Sequence, residues 1–84
     1  MIHIDRCIAH YNYVKADNEQ RMTRGELGRI LWPDVTPQYR SEKLNDWVTG
    51  RCTKVDIPKF KQMLRVLRVD ANFALGIKRM EGIL

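Results

Sequence analysis

Thr23, Thr36, Asp56 and Asp70 each stand at the head of a segment whose apolar residues recur at helical spacing. A side-chain oxygen in that position accepts from a free backbone N–H of the first turn, so each one marks where a helix begins. Starts this closely spaced divide the chain into short helices. No apolar run approaches the roughly 20 residues that a membrane span requires. Met1-Ile2-His3-Ile4-Asp5-Arg6 lacks the basic-then-apolar order of a signal peptide.

Thr23 and Glu26 have the spacing of a capping box, with Met22 and Leu27 at the staple positions around the same turn. Leu27, Ile30 and Leu31 form the buried stripe of this helix, and Pro33, which has no N–H to donate, ends it. Upstream, Ile4, Cys7, Ile8, Tyr11 and Val14 follow the i, i+3, i+4, i+7 rule, predicting a first helix over about residues 3–19 with those side chains inward. Thr36-Pro37, a cap followed by proline at the first helical position, opens a third helix over about 37–48. Leu44, Trp47 and Val48 face inward there, and Gly50 suits the left-handed residue that closes it. Residues 49–54 read as a loop. Asp56 caps a fourth helix, with Val55 and Phe60 at staple spacing and Phe60, Met63, Leu64 and Leu67 as its core face. Asp70 caps a short fifth helix around 72–75, which Gly76 ends. The tail 77–84 reads either as a last turn or as an apolar segment available to a partner. No repeat, linker or strand pattern interrupts the chain. One all-α domain of five short helices with a modest core is expected over its 84 residues.

Composition narrows the partners. The formal net charge is +5, and residues 21–68 carry eleven basic against five acidic side chains, so the excess lies in the middle of the chain. That placement fits a polyanionic partner, although an ordinary solvated face gives the same count. Cys7 and Cys52 are too few for a disulfide framework and read as reduced thiols of a cytosolic protein.

Three segments then carry a resemblance: Met22-Thr23-Arg24-Gly25-Glu26-Leu27-Gly28, Leu44-Asn45-Asp46-Trp47-Val48-Thr49-Gly50, and Leu67-Arg68-Val69-Asp70-Ala71-Asn72-Phe73. Together they resemble the phage-repressor-like helix-turn-helix domains, the lambda-repressor-like or xenobiotic-response-element type, over roughly residues 4–75. The first is similar to the capped start of that family's second helix, the second to its recognition helix, and the third to its entry into helix five. The resemblance implies a domain in which the second helix crosses the DNA backbone and the third enters the major groove. Gly28 stands where the family usually has alanine at the close crossing. Arg24 stands where the family often has a phosphate-touching glutamine, at a helix start whose N–H groups attract anions. Gly50, Arg51 and Lys54 fall on the loop that the family lays along the backbone.

Two departures bear on the site. Trp32-Pro33-Asp34-Val35-Thr36-Pro37 replaces the family's short turn, so that either the recognition helix is extended at its start or the turn is a loop. Glu42 and Asp46 fall where neutral or basic base-readers are common. Either they accept from cytosine amino groups, or they are exposed acids pairing with Arg40 or Lys43.

The candidate DNA-binding residues are therefore Arg24, Gln38, Tyr39, Arg40, Ser41, Lys43, Asn45, Arg51 and Lys54. Gln and Asn can bond adenine bidentately, and Arg or Lys can bond guanine N7 and O6. Arg40, Ser41, Lys43 and Asn45 lie on or beside the outer face of the third helix, with Gln38 and Tyr39 in its added first turn. Trp47 reads as core rather than as a stacking platform, while Trp32 either covers the turn or lies exposed. His3, Cys7 and His10 share one side of the first helix, but a structural zinc site wants four ligands and no fourth is near in sequence. No nucleophile, base and orienting group converge, and there is no Gly-rich phosphate loop. The expectation is a non-enzymatic, cytoplasmic, nucleoid-associated regulator, a homodimer that binds double-stranded DNA and needs no metal, cofactor or small-molecule ligand. The second reading is a protein-interaction module, antitoxin-like or an adaptor, that keeps the fold without the DNA affinity.

Overall fold

A computed structural model describes residues 1–51 and 55–76. Among these, five helices form and no strand: α1 (Ile4–Val14), α2 (Arg24–Leu31), α3 (Pro37–Thr49), α4 (Ile57–Leu67) and α5 (Ala71–Leu75). None is long and apolar enough to cross a membrane. The expected fold class, all-α, is the one observed. Cys52, Lys54 and the tail 77–84 lie outside the described residues.

The cap signals translate into geometry. The side chains of Thr23, Thr36, Asp56 and Asp70 accept from the N–H groups of Glu26, Tyr39, Lys59 and Phe73, at 3.2, 3.2, 3.2 and 2.8 Å. Each satisfies one of the four N–H donors that a helix start leaves without an intrahelical acceptor. The capping box is completed on one side only, because the Glu26 carboxylate pairs with Arg29 on its own helix. Gly50 closes α3 at φ 78°, a left-handed conformation in which a Cβ would be strained.

The first helix is shorter than its periodicity predicts, and Val14, expected inward, is 44% exposed. Polar side chains intercept the backbone after residue 14. Glu19 accepts from the Ala16 N–H through its carboxylate at 2.9 Å. Asn12 accepts from the Met22 N–H at 2.7 Å and donates to the Met22 carbonyl at 3.0 Å. These bonds offer the chain an alternative to further helix, the competition that short polar side chains commonly set up with helix continuation.

One core joins all five helices. Ile4 and Cys7 of α1, Leu27 and Leu31 of α2, Leu44 and Trp47 of α3, Met63 and Leu67 of α4, and Ala74 of α5 are buried. Burying a Leu- or Ile-sized side chain contributes about 1.5–3 kcal/mol. Trp47 lies at its centre, edge-on to Trp32 at 5.3 Å and to Phe60 at 6.3 Å between ring centroids. Trp32 thus covers the turn, as one of the two sequence alternatives had it. Ahead of α1, the Ile2 N–H donates to the Trp47 carbonyl and the His3 N–H to the Ala74 carbonyl, both at 2.8 Å. Ile2 is buried between the C-terminal ends of α3 and α5.

Candidate nucleic-acid interface

The pair α2 and α3 is built from a close helix crossing. Gly28 is buried on α2, and a Cβ there would lie 3.1 Å from the Cβ of Arg40. Leu44 packs beside the same spot, with its Cδ1 3.6 Å away. Close packing of this kind leaves room only for a small residue.

The connection between the helices resolves the spacing anomaly in both ways at once. Residues 32–36 form a loop, and α3 also begins early, at Pro37. Trp32 leaves the helical region ahead of Pro33, at φ -131° and ψ 72°, consistent with the bias against helix in a residue before proline. Four consecutive carbonyls at the exit of α2 then each receive a side-chain donor. Gln62 donates to Ile30 at 3.3 Å and Lys59 donates to Leu31. Arg40 donates through Nε to Trp32 at 2.8 Å and through Nη2 to Pro33 at 3.0 Å. A helix C-terminus carries unpaired carbonyls and partial negative charge, so cationic donors suit it.

This contact corrects the expected placement of Arg40. Its guanidinium turns back onto the loop instead of standing on the outer face of α3. Arg24, expected to meet phosphate, is also engaged. It grips Asp5 through Nε at 2.7 Å and Nη2 at 2.6 Å. The Arg24 hydrogen bond holds the Asp5 carboxyl below its ordinary range, and Asp5 in turn raises Arg24. Their charges cancel, although Arg24 stays 42% exposed.

The other candidates on α3 remain at the surface. Gln38, Ser41 and Asn45 are exposed, together with Glu42 and Thr49. At 100° per residue, Gln38, Glu42, Asn45 and Thr49 line up opposite Leu44 and Trp47, with Ser41 to one side. Thr49 donates its hydroxyl to the Asn45 backbone carbonyl at 2.9 Å, and the exposed Asn45 side-chain amide makes no hydrogen bond among the described residues. Tyr39 is exposed, and the Lys43 ammonium sits 5.3 Å from its ring centroid. Of the two alternatives for Glu42 and Asp46, the pairing with Arg40 or Lys43 does not form among the described residues. Arg40 is held by carbonyls and Lys43 by a ring, and Glu42 receives the Gln38 amide at 3.4 Å. Arg51 is exposed just past Gly50 and makes no ion pair among the described residues. Lys54 lies outside them.

The first-helix side chains once considered for metal have other surroundings. Cys7 is fully buried, which pushes its thiol up to about 11. His10 meets Phe73 in a tilted ring contact at 5.2 Å, and the His3 ring lies against Gly76. Among the described residues no group of three possible ligands comes together.

Sequence reasoning missed Asp5, Lys59 and Gln62. Lys59 and Gln62 are three apart, so their shared face of α4 was visible in the sequence. The carbonyls they reach lie 28 and 32 residues upstream, and no local pattern names them. The chain matches no protein-family model, no curated protein and no solved structure.

Proposed function

We propose that this chain binds double-stranded DNA in a sequence-dependent way and acts as a transcriptional regulator of the phage or bacterial type, without catalysis. One observation carries the reading. A thirteen-residue helix, α3, has its apolar side fixed against α2 and the core, while Gln38, Ser41, Asn45 and Thr49 stand exposed along its opposite side. A helix so mounted fits the B-DNA major groove, and amide side chains at its surface suit adenine edges. Arg51 at its C-terminal end, with no ion pair among the described residues, is a cation of the kind that neutralises a phosphate. In this reading the protein works as a homodimer in the cytoplasm, on the nucleoid, since one small module gains specificity by doubling its contacts across a two-fold axis.

Selection of bound sequences from a random duplex library at about 100 mM salt tests it, because non-specific binding is weakened there. Enrichment of one motif is the expected result, and the absence of any preference would remove the reading. A second reading, a protein-interaction module with this fold, draws on Glu42 and Asp46 along the same helix. It also draws on the pairing of Arg24 with Asp5, which cancels one positive charge, and on the carbonyl contacts that hold Arg40 and Lys59 against the end of α2. That reading takes first place if no duplex is preferred.

A further inference from the structure

We propose that the outer side of α4 is a docking groove for an acidic, apolar helical segment of another protein. An open groove of about 530 Å³ runs along this helix, lined by the apolar Ile57, Pro58 and Leu64 and by the cations Lys61 and Arg65. A second, wholly apolar depression adjoins it through Ile57 and reaches Val55, Phe60 and Leu75. Ile57 is 55% exposed and Leu75 40% exposed. The exposure of Ile57 is not required by helix capping, which the Asp56 side chain already provides.

The rim decides what the occupant is. Lys61 and Arg65 lie one helical turn apart on the same edge and make no ion pair among the described residues. An occupant that covers the apolar floor also takes these two cations partly out of water, which is favourable only if it brings carboxylates to them. A second copy does not, because a two-fold interface pairs this patch with itself, and no described residue lining either depression is a carboxylate that could meet the two cations. The stretch 77–84 does not either, since it carries Lys78 and Arg79 against Glu81. A duplex would satisfy the rim but leave Ile57 and Leu75 against a charged backbone. What remains is an amphipathic segment with apolar residues at helical spacing and Asp or Glu on one flank, the helix-in-groove mode of recognition. The length of α4, eleven residues or about 16 Å, sets the occupant at about three turns. This inference is independent of duplex reading by α3, and a homodimer of the kind proposed above has to use another surface.

A displayed library of random 16-residue peptides, panned on the folded full chain and counter-selected on Ile57→Asp, tests the proposal. Aspartate at a first helical position suits the helix, and thermal melts of the variant confirm that it folds. Enriched peptides should carry apolar residues at i, i+3 or i+4, and i+7 with acids on one flank. They should perturb the amide resonances of Ile57, Leu64 and Leu75. Their affinity should fall at least tenfold against the K61E/R65E double variant and recover when the acids of the peptide are changed to Lys. Several results overturn the proposal: no enrichment, enriched peptides without acids, or affinities that K61E/R65E leaves unchanged. It is equally overturned by a dimer that Ile57→Asp dissociates, or by a duplex that displaces the peptides from α4.

Discussion

A guanidinium presents its N–H donors in a rigid planar fork, and the use of that fork decides what an arginine does. Arg40 aims two of its nitrogens at successive carbonyls, those of Trp32 and Pro33, while its Cβ packs at the Gly28 crossing. Its sequence position suits a base reader, and its contacts make it the strut of the extended turn. Arg40→Ala should therefore cost about 1–3 kcal/mol of stability, toward the lower end because the site is partly solvated. Arg40→Lys should recover only part of this, since a single ammonium is a point donor. Denaturant midpoints measure both. If Arg40→Ala left the midpoint unmoved and changed base preference instead, the strut assignment would fail. Asn45 makes the opposite case. Its carbonyl serves the Thr49 hydroxyl and its exposed amide has no such duty, so Asn45→Ala should leave stability nearly unchanged. If α3 reads DNA, the same change should cost roughly 1–3 kcal/mol on the preferred duplex and much less on unrelated ones.

Between α2 and α3, one glycine fixes how near the helices come. A Cβ at Gly28 would already press on Arg40, and a branched side chain would force the helices apart. Gly28→Val should destabilise by about 1–3 kcal/mol through overpacking, seen as a lower denaturant midpoint with α-helical circular dichroism retained. A midpoint equal to the parent's would mean that the crossing is looser than described. The outward side of α3 is electrostatically mixed, with Glu42 and Asp46 among the amides. Changing both to Gln and Asn should tighten binding to all duplexes if the acids merely shield the helix, and should relax preference at one base pair if either accepts from cytosine. Arg51→Ala should weaken all duplexes about equally and lower the salt slope by about one unit. An intact slope with altered preference would place Arg51 at a base rather than at a phosphate.

At the scale of the whole molecule, what the sequence made legible is what is local. Thr23, Thr36, Asp56 and Asp70 start helices because cap and first turn are three residues apart, a distance that any reading of the chain contains. The contacts that hold the elements together span much greater separations. Asp5 reaches Arg24 across 19 residues, Lys59 reaches the end of α2 across 28, and Arg68 reaches Glu19 across 49. A spacing rule carries no term for such partners, so the middle of the chain could be counted as basic without revealing that several of its cations are already engaged. The end of α1 was missed for the same reason. Its periodicity runs to Val14 and nothing local marks a stop before residue 19, but the side chains of Asn12 and Glu19 divert the backbone, and Arg68 secures Glu19 from the far end of α4.

That last contact gives the fold a definite response to acid. Glu19 accepts from Arg68 through Nη1 at 3.0 Å and Nη2 at 2.6 Å, from the Ala16 N–H at 2.9 Å, and from the Tyr11 hydroxyl at 3.4 Å. The Arg68 hydrogen bonds lead in lowering its carboxyl to about 2 from an ordinary value of 4.5. Because the folded value lies below the unfolded one, the folded state favours the ionised carboxylate. The contribution is fully present above about pH 4.5 and is lost as the pH falls toward 2, where folded and unfolded chains both bind the proton. Asp5, lowered by Arg24, acts in the same direction. Stability measured by denaturant titration should thus decline between pH 4.5 and 2, and Glu19→Gln should flatten that decline while lowering stability at neutral pH. High salt should reduce the effect, since the pair is solvent-exposed and screened. Arg68→Gln should reproduce the flattening from the opposite partner, and a double variant should lose little beyond either single one, because both remove the same contact. A pH profile unchanged by Glu19→Gln would show that the clamp between the first loop and the end of α4 does not hold in solution.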